Sequence, residues 1–186
     1  MNRWLARAIA MIAAIYPFIV WFSLDTLPVG FLGLLLLVLA VGRLVLLGRV
    51  PGEPLLVAAG VIAMAAAGIY TLISSSSEGL RFYPVLMSAA MLCLFGWSLR
   101  QPQSIVERFA RIIYREFPPE AAVYTRRVTA VWCAFFLING LIALWTAVAG
   151  SWAAWTLYNG FISYMLMGLL FVGEYAVRQR LMGATS

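Results

Sequence analysis

The chain has 186 residues, of which 64% are hydrophobic and 11% charged, and a formal net charge of +6, so little sequence remains for a water-soluble domain. All thirteen basic residues are arginine. The lack of histidine excludes imidazole bases, haem or zinc–histidine sites and Ser-His-Asp triads, and the lack of lysine excludes Schiff-base chemistry on the chain.

Six stretches are apolar enough to cross a membrane: about 8–24, 27–48, 55–74, 82–99, 128–148 and 152–177. Each is near the ~20 residues that a helix needs to span a hydrocarbon core of ~30 Å. The predicted fold is therefore all-α, a polytopic integral membrane protein with six transmembrane helices in a single membrane domain.

The first stretch follows Arg3 and Arg7, as the apolar core of a signal peptide would. No small-x-small cleavage site follows, and Trp21-Phe22-Ser23-Leu24-Asp25 reads as a membrane interface. An uncut helix is expected, kinked at Pro17, whose missing N–H frees the carbonyl of Ala13. Asp25-Thr26-Leu27-Pro28 then makes a tight hairpin into the second span. That helix should end near Arg43, with the guanidinium snorkelling to the interface. The third span carries Ala59, Ala63 and Ala67 at i+4 spacing, with Gly60 and Gly68 nearby. Such a stripe permits close packing, either within the bundle or between two copies.

Arginine placement orients the chain. With the N-terminus in the cytoplasm, the inside segments hold Arg3, Arg7, Arg43, Arg49, Arg100, Arg108, Arg111, Arg115, Arg126, Arg127, Arg178 and Arg180, and the outside loops hold Arg81 alone. These are short loops beside the spans, where the positive-inside rule applies. Both ends are expected in the cytoplasm. Trp4, Trp21, Trp97, Trp145, Trp152 and Trp155 mostly fall near the interfaces, as an aromatic belt does. Cys93 and Cys133 sit at similar depth, compatible with contact between spans 4 and 5, and read as small buried hydrophobes.

The one long polar segment joins spans 4 and 5. Ser104-Ile105-Val106-Glu107 matches a capping box. An amphipathic interfacial helix over about 104–117 would place Ile105, Phe109, Ile112 and Ile113 on one face, with Arg108, Arg111 and Arg115 largely elsewhere. Phe117-Pro118-Pro119 ends it, and from Glu120 a helix can run through Arg126-Arg127 into span 5. The helix is either a plain connector or a docking surface for anionic lipid or a protein partner. Glu107, Glu116 and Glu120 among the arginines, and the lack of a stacking platform, argue against a nucleic-acid surface.

Within the membrane, Asn139 and Asn159 should point into the bundle, because an amide facing lipid is costly. The helical rise separates them by about 7–8 Å along the axis, so a network between them would run through Tyr158 or a water. Interhelical glue is the simpler role and a substrate site the other. Glu174 and Arg178 have the spacing and order of a favourable i,i+4 pair. No other acid lies deep in a span, which argues against a proton-coupled pump. There is no CxxC, P-loop or dinucleotide fingerprint. No metal site, cofactor or enzymatic activity is expected.

Two resemblances extend this reading. Arg81 to Met87 (RFYPVLM), Tyr124 to Thr129 (YTRRVT), Val131 to Phe136 (VWCAFF), Trp155 to Gly160 (WTLYNG) and Gly168 to Tyr175 (GLLFVGEY) carry the first. They resemble a family of uncharacterised bacterial inner-membrane proteins of about this length, whose genes often accompany aryl-polyene or related envelope-lipid clusters. Some members of that family bear a DNA gyrase name, for which nothing in these residues speaks. Residues 82–180 are also similar to the intracellular septation protein A family, small inner-membrane proteins linked to envelope synthesis and division.

The resemblances imply a bacterial cytoplasmic-membrane location and a non-enzymatic accessory role in envelope-lipid assembly. Arg108, Arg111, Arg115, Arg126 and Arg127 would then contact membrane lipids or a biosynthetic partner. The alternative is a small transporter or flippase of an amphiphile held between spans 5 and 6 by Asn139, Tyr158 and Asn159. Six spans are few for a monomeric carrier, so that reading needs a homodimer, with span 3 as its interface. No internal repeat supports it.

Overall fold

The computed structural model describes residues 22, 27–45, 54–74, 78–113 and 119–183. Every regular element among them is helical: α1 (Val29–Val45), α2 (Pro54–Ser74), α3 (Glu78–Arg81), α4 (Tyr83–Ser98), α5 (Ile105–Ile113), α6 (Pro119–Val148), α7 (Trp152–Leu157), a π turn (Tyr158–Ile162) and α8 (Ser163–Gly183). α3 runs into α4 through Phe82, whose N–H donates to Gly79 and whose carbonyl accepts from Leu86. α7, the π turn and α8 form one final helix over 152–183.

Three stretches, Glu78–Ser98, Glu120–Val148 and Trp152–Gln179, are long and apolar enough to cross a membrane. They correspond to expected spans 4, 5 and 6. Expected spans 2 and 3 are helical, but their apolar described cores, Gly30–Gly42 and Ala58–Ile73, are shorter. Apart from Phe22, expected span 1 lies outside the described residues. Three stretches rather than six thus meet the requirement among the described residues. Large apolar side chains such as Phe31, Val38, Ile62, Ile73, Leu169 and Val172 cover the outside. Water would not tolerate so much contiguous apolar surface, whereas lipid tails are as apolar as leucine.

Small residues set the packing. Leu32, Leu36 and Leu39 of α1 bury against Ala63, Met64 and Ala67 of α2, and Leu80, Tyr83, Ala147 and Trp155 join the same core. A Cβ at Gly68 would lie 2.8 Å from the carbonyl oxygen of Gly33 and 3.0 Å from Leu37, so the α1 and α2 backbones touch there. The stripe of Ala59, Ala63 and Ala67 is buried within the chain, which removes it as an interface between copies. α2 continues against α4 and α4 against α6, the latter through Phe95, Trp132 and Phe136 (Phe95–Phe136 centroids 5.1 Å apart, edge-on).

α1 covers Arg43 and continues to Val45, slightly past the expected end. α6 starts at Pro119 and carries Arg126 and Arg127 in its third turn, as the restart at Glu120 predicts. Cys93 departs from its reading. It is exposed on the outside of the bundle, and Cys133 is half-buried. An exposed thiol meets no penalty in lipid, since cysteine behaves there as a small hydrophobe.

Candidate functional sites

Polar side chains gather in three places: partway along α4 and α6, beside the π turn near the start of the final helix; at the end of the bundle carrying Arg81; and at the opposite, arginine-rich end.

Midway, Asn139 of α6 is buried and fully engaged. Its Nδ2 donates to Ser88 Oγ on α4 at 3.1 Å, and its Oδ1 accepts from Tyr158 OH on the final helix at 3.1 Å. Three helices are thereby joined through one amide. α4 and α6 can approach because Gly140 lies against Ser88, where a Cβ would meet Ser88 Cβ at 3.1 Å. Asn159 belongs to a separate group. Its Nδ2 donates to Thr146 Oγ1 at 3.1 Å and to the carbonyl of Trp155 at 2.9 Å. The two asparagines are not linked through Tyr158. Among the described residues, Asn159 Oδ1 and the buried Thr156 Oγ1 have no hydrogen-bond partner. Tyr158 and Asn159 open the π turn, in which the Ser163 N–H reaches back five residues to the Tyr158 carbonyl. This widened turn re-phases the helix, and sequence neighbours Tyr158 and Asn159 are both buried.

At the Arg81 end, the guanidinium Nη2 donates to the carbonyls of Thr146 and Gly150. These lie at the C-terminal end of α6, where the dipole is negative, and the Thr146 carbonyl also accepts from the Gly150 N–H at 3.2 Å. Arg81 also stacks 5.0 Å from the Trp152 ring, and its carbonyl accepts from Trp155 Nε1 at 3.0 Å. Ser151 caps the final helix by accepting from the Ala154 N–H at 3.1 Å. The single arginine of the predicted outside loops is thus a clamp between two hairpins. Its exceptional position, on the side that otherwise lacks arginine, was the available sequence clue.

The arginine-rich end differs from expectation in detail. Ser104 does not cap α5: its Oγ is buried and lacks a partner, and Glu107 instead pairs with Arg111 at 2.7 Å. The Ile105 N–H is satisfied by Ser98 Oγ at 3.1 Å. Arg126 Nη2 donates to the carbonyls of Leu99 and Gln101, the latter at 2.9 Å. The connector is therefore fixed to both helices it joins. Burial in α5 changes along the helix more than around it: Ser104, Ile105 and Glu107 are inside, while Arg111 is exposed and Ile112 is 71% exposed. The expected apolar side therefore runs from a buried Ile105 through a half-buried Phe109 to an exposed Ile112, because the first turn is anchored and the second projects; the Ile113 side chain lies outside the described residues. Arg108 is half-buried, Arg127 is exposed, and Arg115 lies outside the described residues.

Glu174 and Arg178 form the expected pair loosely, with Nε and Oε1 3.8 Å apart. Sequence reasoning missed Tyr124, whose hydroxyl donates to Glu174 Oε1 at 3.3 Å and to its carbonyl at 3.2 Å. Tyr124 stands in the YTRRVT segment of the first resemblance, but nothing there assigns it a role before α6 and the final helix are brought together.

No protein-family model, curated protein or solved structure matches the chain.

Proposed function

We propose that the chain is a non-enzymatic accessory protein of the bacterial cytoplasmic membrane, with six spans and both ends inside, that supports envelope-lipid assembly. The projecting second turn of α5 is the docking element. One observation carries this choice: Arg111, paired with Glu107, and Ile112 are exposed beyond an anchored first turn and so lie open to a surface, whereas Asn139, the central group of the alternative carrier site, is buried with both ends of its amide occupied by Ser88 and Tyr158. A cation beside an apolar side chain suits a membrane surface or a partner lying on it. The resemblance to proteins encoded beside polyene-lipid genes supports the choice of pathway.

The test compares lipid and pigment extracts of wild-type and gene-deleted cells by mass spectrometry. Missing or truncated polyene-type lipids are expected, and unchanged extracts would sink the lipid-assembly reading. Complementation then separates the two roles. Neutralising Arg108, Arg111 and Arg115 together should abolish rescue, while Asn139→Leu and Asn159→Leu should still rescue wherever the protein accumulates. The reverse outcome would favour an amphiphile carrier.

A further inference from the structure

Two oxygens beside the π turn are left over from the polar network. Thr156 and Asn159 are only 2% and 4% exposed, yet Thr156 Oγ1 and Asn159 Oδ1 lack hydrogen-bond partners among the described residues. A buried polar atom left unbonded carries its full desolvation cost, so buried oxygens are ordinarily engaged. Threonine in a helix usually donates to a carbonyl one turn back. Thr71, Thr125, Thr129 and Thr146 all do so, at 2.8 or 2.9 Å. Among the described buried threonines, Thr156 is the exception. The Asn159 amide is fixed as it stands, because its Nδ2 donates to Thr146 Oγ1 on α6 and to the Trp155 carbonyl. Flipping it would set Oδ1 against that carbonyl. The Thr146 hydroxyl already gives its proton to the Ala143 carbonyl, so it has none for Asn159.

The chemistry of these two oxygens selects their occupant. Asn159 Oδ1 only accepts, so the occupant must donate, whereas the Thr156 hydroxyl can do either. An anion brings no proton and would be repelled by Oδ1. A divalent cation gathers about six oxygens, and only two are left over here. A lipid alcohol carries the right O–H, but oxygens this deeply covered leave no passage for the chain behind it. Helical side chains three residues apart lie about 5–6 Å apart at Cβ, a gap that one water oxygen bridges at ordinary hydrogen-bond lengths. We propose that a single water molecule is bound between Asn159 Oδ1 and Thr156 Oγ1, donating to the amide and joining the hydroxyl, as a fixed part of the π turn. Buried waters serve in this way where two to four polar groups converge, and inserted waters and π turns are both places where a helix leaves its regular ladder. With the water in place the Asn159 amide is engaged at both ends, as that of Asn139 is. The inference is independent of the role proposed for α5.

The chain has three asparagines, Asn2, Asn139 and Asn159, so isotopic labelling of asparagine side-chain nitrogen leaves few signals to assign. Solid-state NMR of the full chain in bilayers then follows magnetisation passing from water to each amide. Asn139 is the internal reference, since both amides touch protein hydroxyls and relay through those affects each alike. Asn159 should receive water magnetisation clearly sooner than Asn139. Thr156→Val, which keeps the shape and removes the hydroxyl, should lose that early transfer and leave the Asn139 signal in place. Thr156→Ser should retain it. Transfer to Asn159 no faster than to Asn139 in wild type would overturn the proposal, and would mean that Thr156 turns to a protein acceptor instead. Early transfer undiminished by Thr156→Val would also overturn it, as would transfer that begins on lipid rather than water protons. Should Thr156→Val displace the Asn139 signal and so prove misfolded, the wild-type comparison decides alone.

Discussion

Leucine at position 139 would leave Ser88 and Tyr158 without their shared amide. Interhelical hydrogen bonds in membranes are worth roughly 0.6–2 kcal/mol each, so Asn139→Leu should destabilise the bundle by about 1–3 kcal/mol in denaturing-detergent titrations. Ser88→Ala and Tyr158→Phe should each cost less, and a double-mutant cycle should show that Asn139 and Tyr158 are coupled. Additive effects would mean that the amide does not tie the helices. Arg81 yields a second prediction. Its charged hydrogen bonds to Thr146 and Gly150 should make Arg81→Gln cost about 1.5–3 kcal/mol. Arg81→Lys should recover only part, because an ammonium lacks the planar fork that reaches carbonyls while stacking on Trp152. Full recovery by lysine would reduce the clamp to a point charge. Sequence could place Asn139 inside the bundle, since polarity in lipid dictates direction. It could not supply Ser88 as the partner, because serine is common in spans and only the Gly140 contact brings it near.

At the scale of elements, two glycines should behave oppositely. Gly68 meets Gly33 and Leu37 at contact distance, whereas a Cβ at Gly168 would meet nothing within 4 Å. Gly68→Val should therefore loosen α1 from α2 and cost about 1–3 kcal/mol by overpacking. Gly168→Ala should be neutral or should stabilise its helix by roughly 0.5–1 kcal/mol through reduced backbone freedom. Equal effects would mean that α1 and α2 do not pack through these backbones. The helices themselves were legible, since long apolar runs bounded by Pro54, Pro119 and Ser151 leave few alternatives. The π turn was not: nothing in Tyr158-Asn159-Gly160 distinguishes five-residue from four-residue hydrogen bonding until α6 supplies partners for both polar side chains. α5 was legible as a helix but not in its docking. Periodicity describes burial around an axis, and here Ser98 and Arg126 anchor one end of the segment.

For the whole molecule, the orientation proposed from the arginines can be weighed against what those arginines touch. Arg81 was the one exception, and its bonds to the end of α6 give it a structural reason to be there. A guanidinium held by carbonyls at a helix end sits where the dipole favours a cation, so its position need not oppose the orientation set by the other arginines. Arg108, Arg111, Arg126, Arg127 and Arg178 all cluster at the opposite end, on three helical elements. Two exposed positions, Ala149 beside Arg81 and Gln103 in the basic connector, therefore report on opposite sides. In intact cells whose outer barrier admits a membrane-impermeant maleimide, Ala149→Cys should label above the background of Cys93 and Cys133. Gln103→Cys should label only after the cytoplasmic membrane is opened. The reverse pattern would invert the topology and move the α5 surface outside, away from any cytosolic synthase. Labelling of both in intact cells would mean that α6 does not separate two compartments. Adding Arg81→Gln to Ala149→Cys should leave the labelling side unchanged, because the remaining arginines still favour the same orientation.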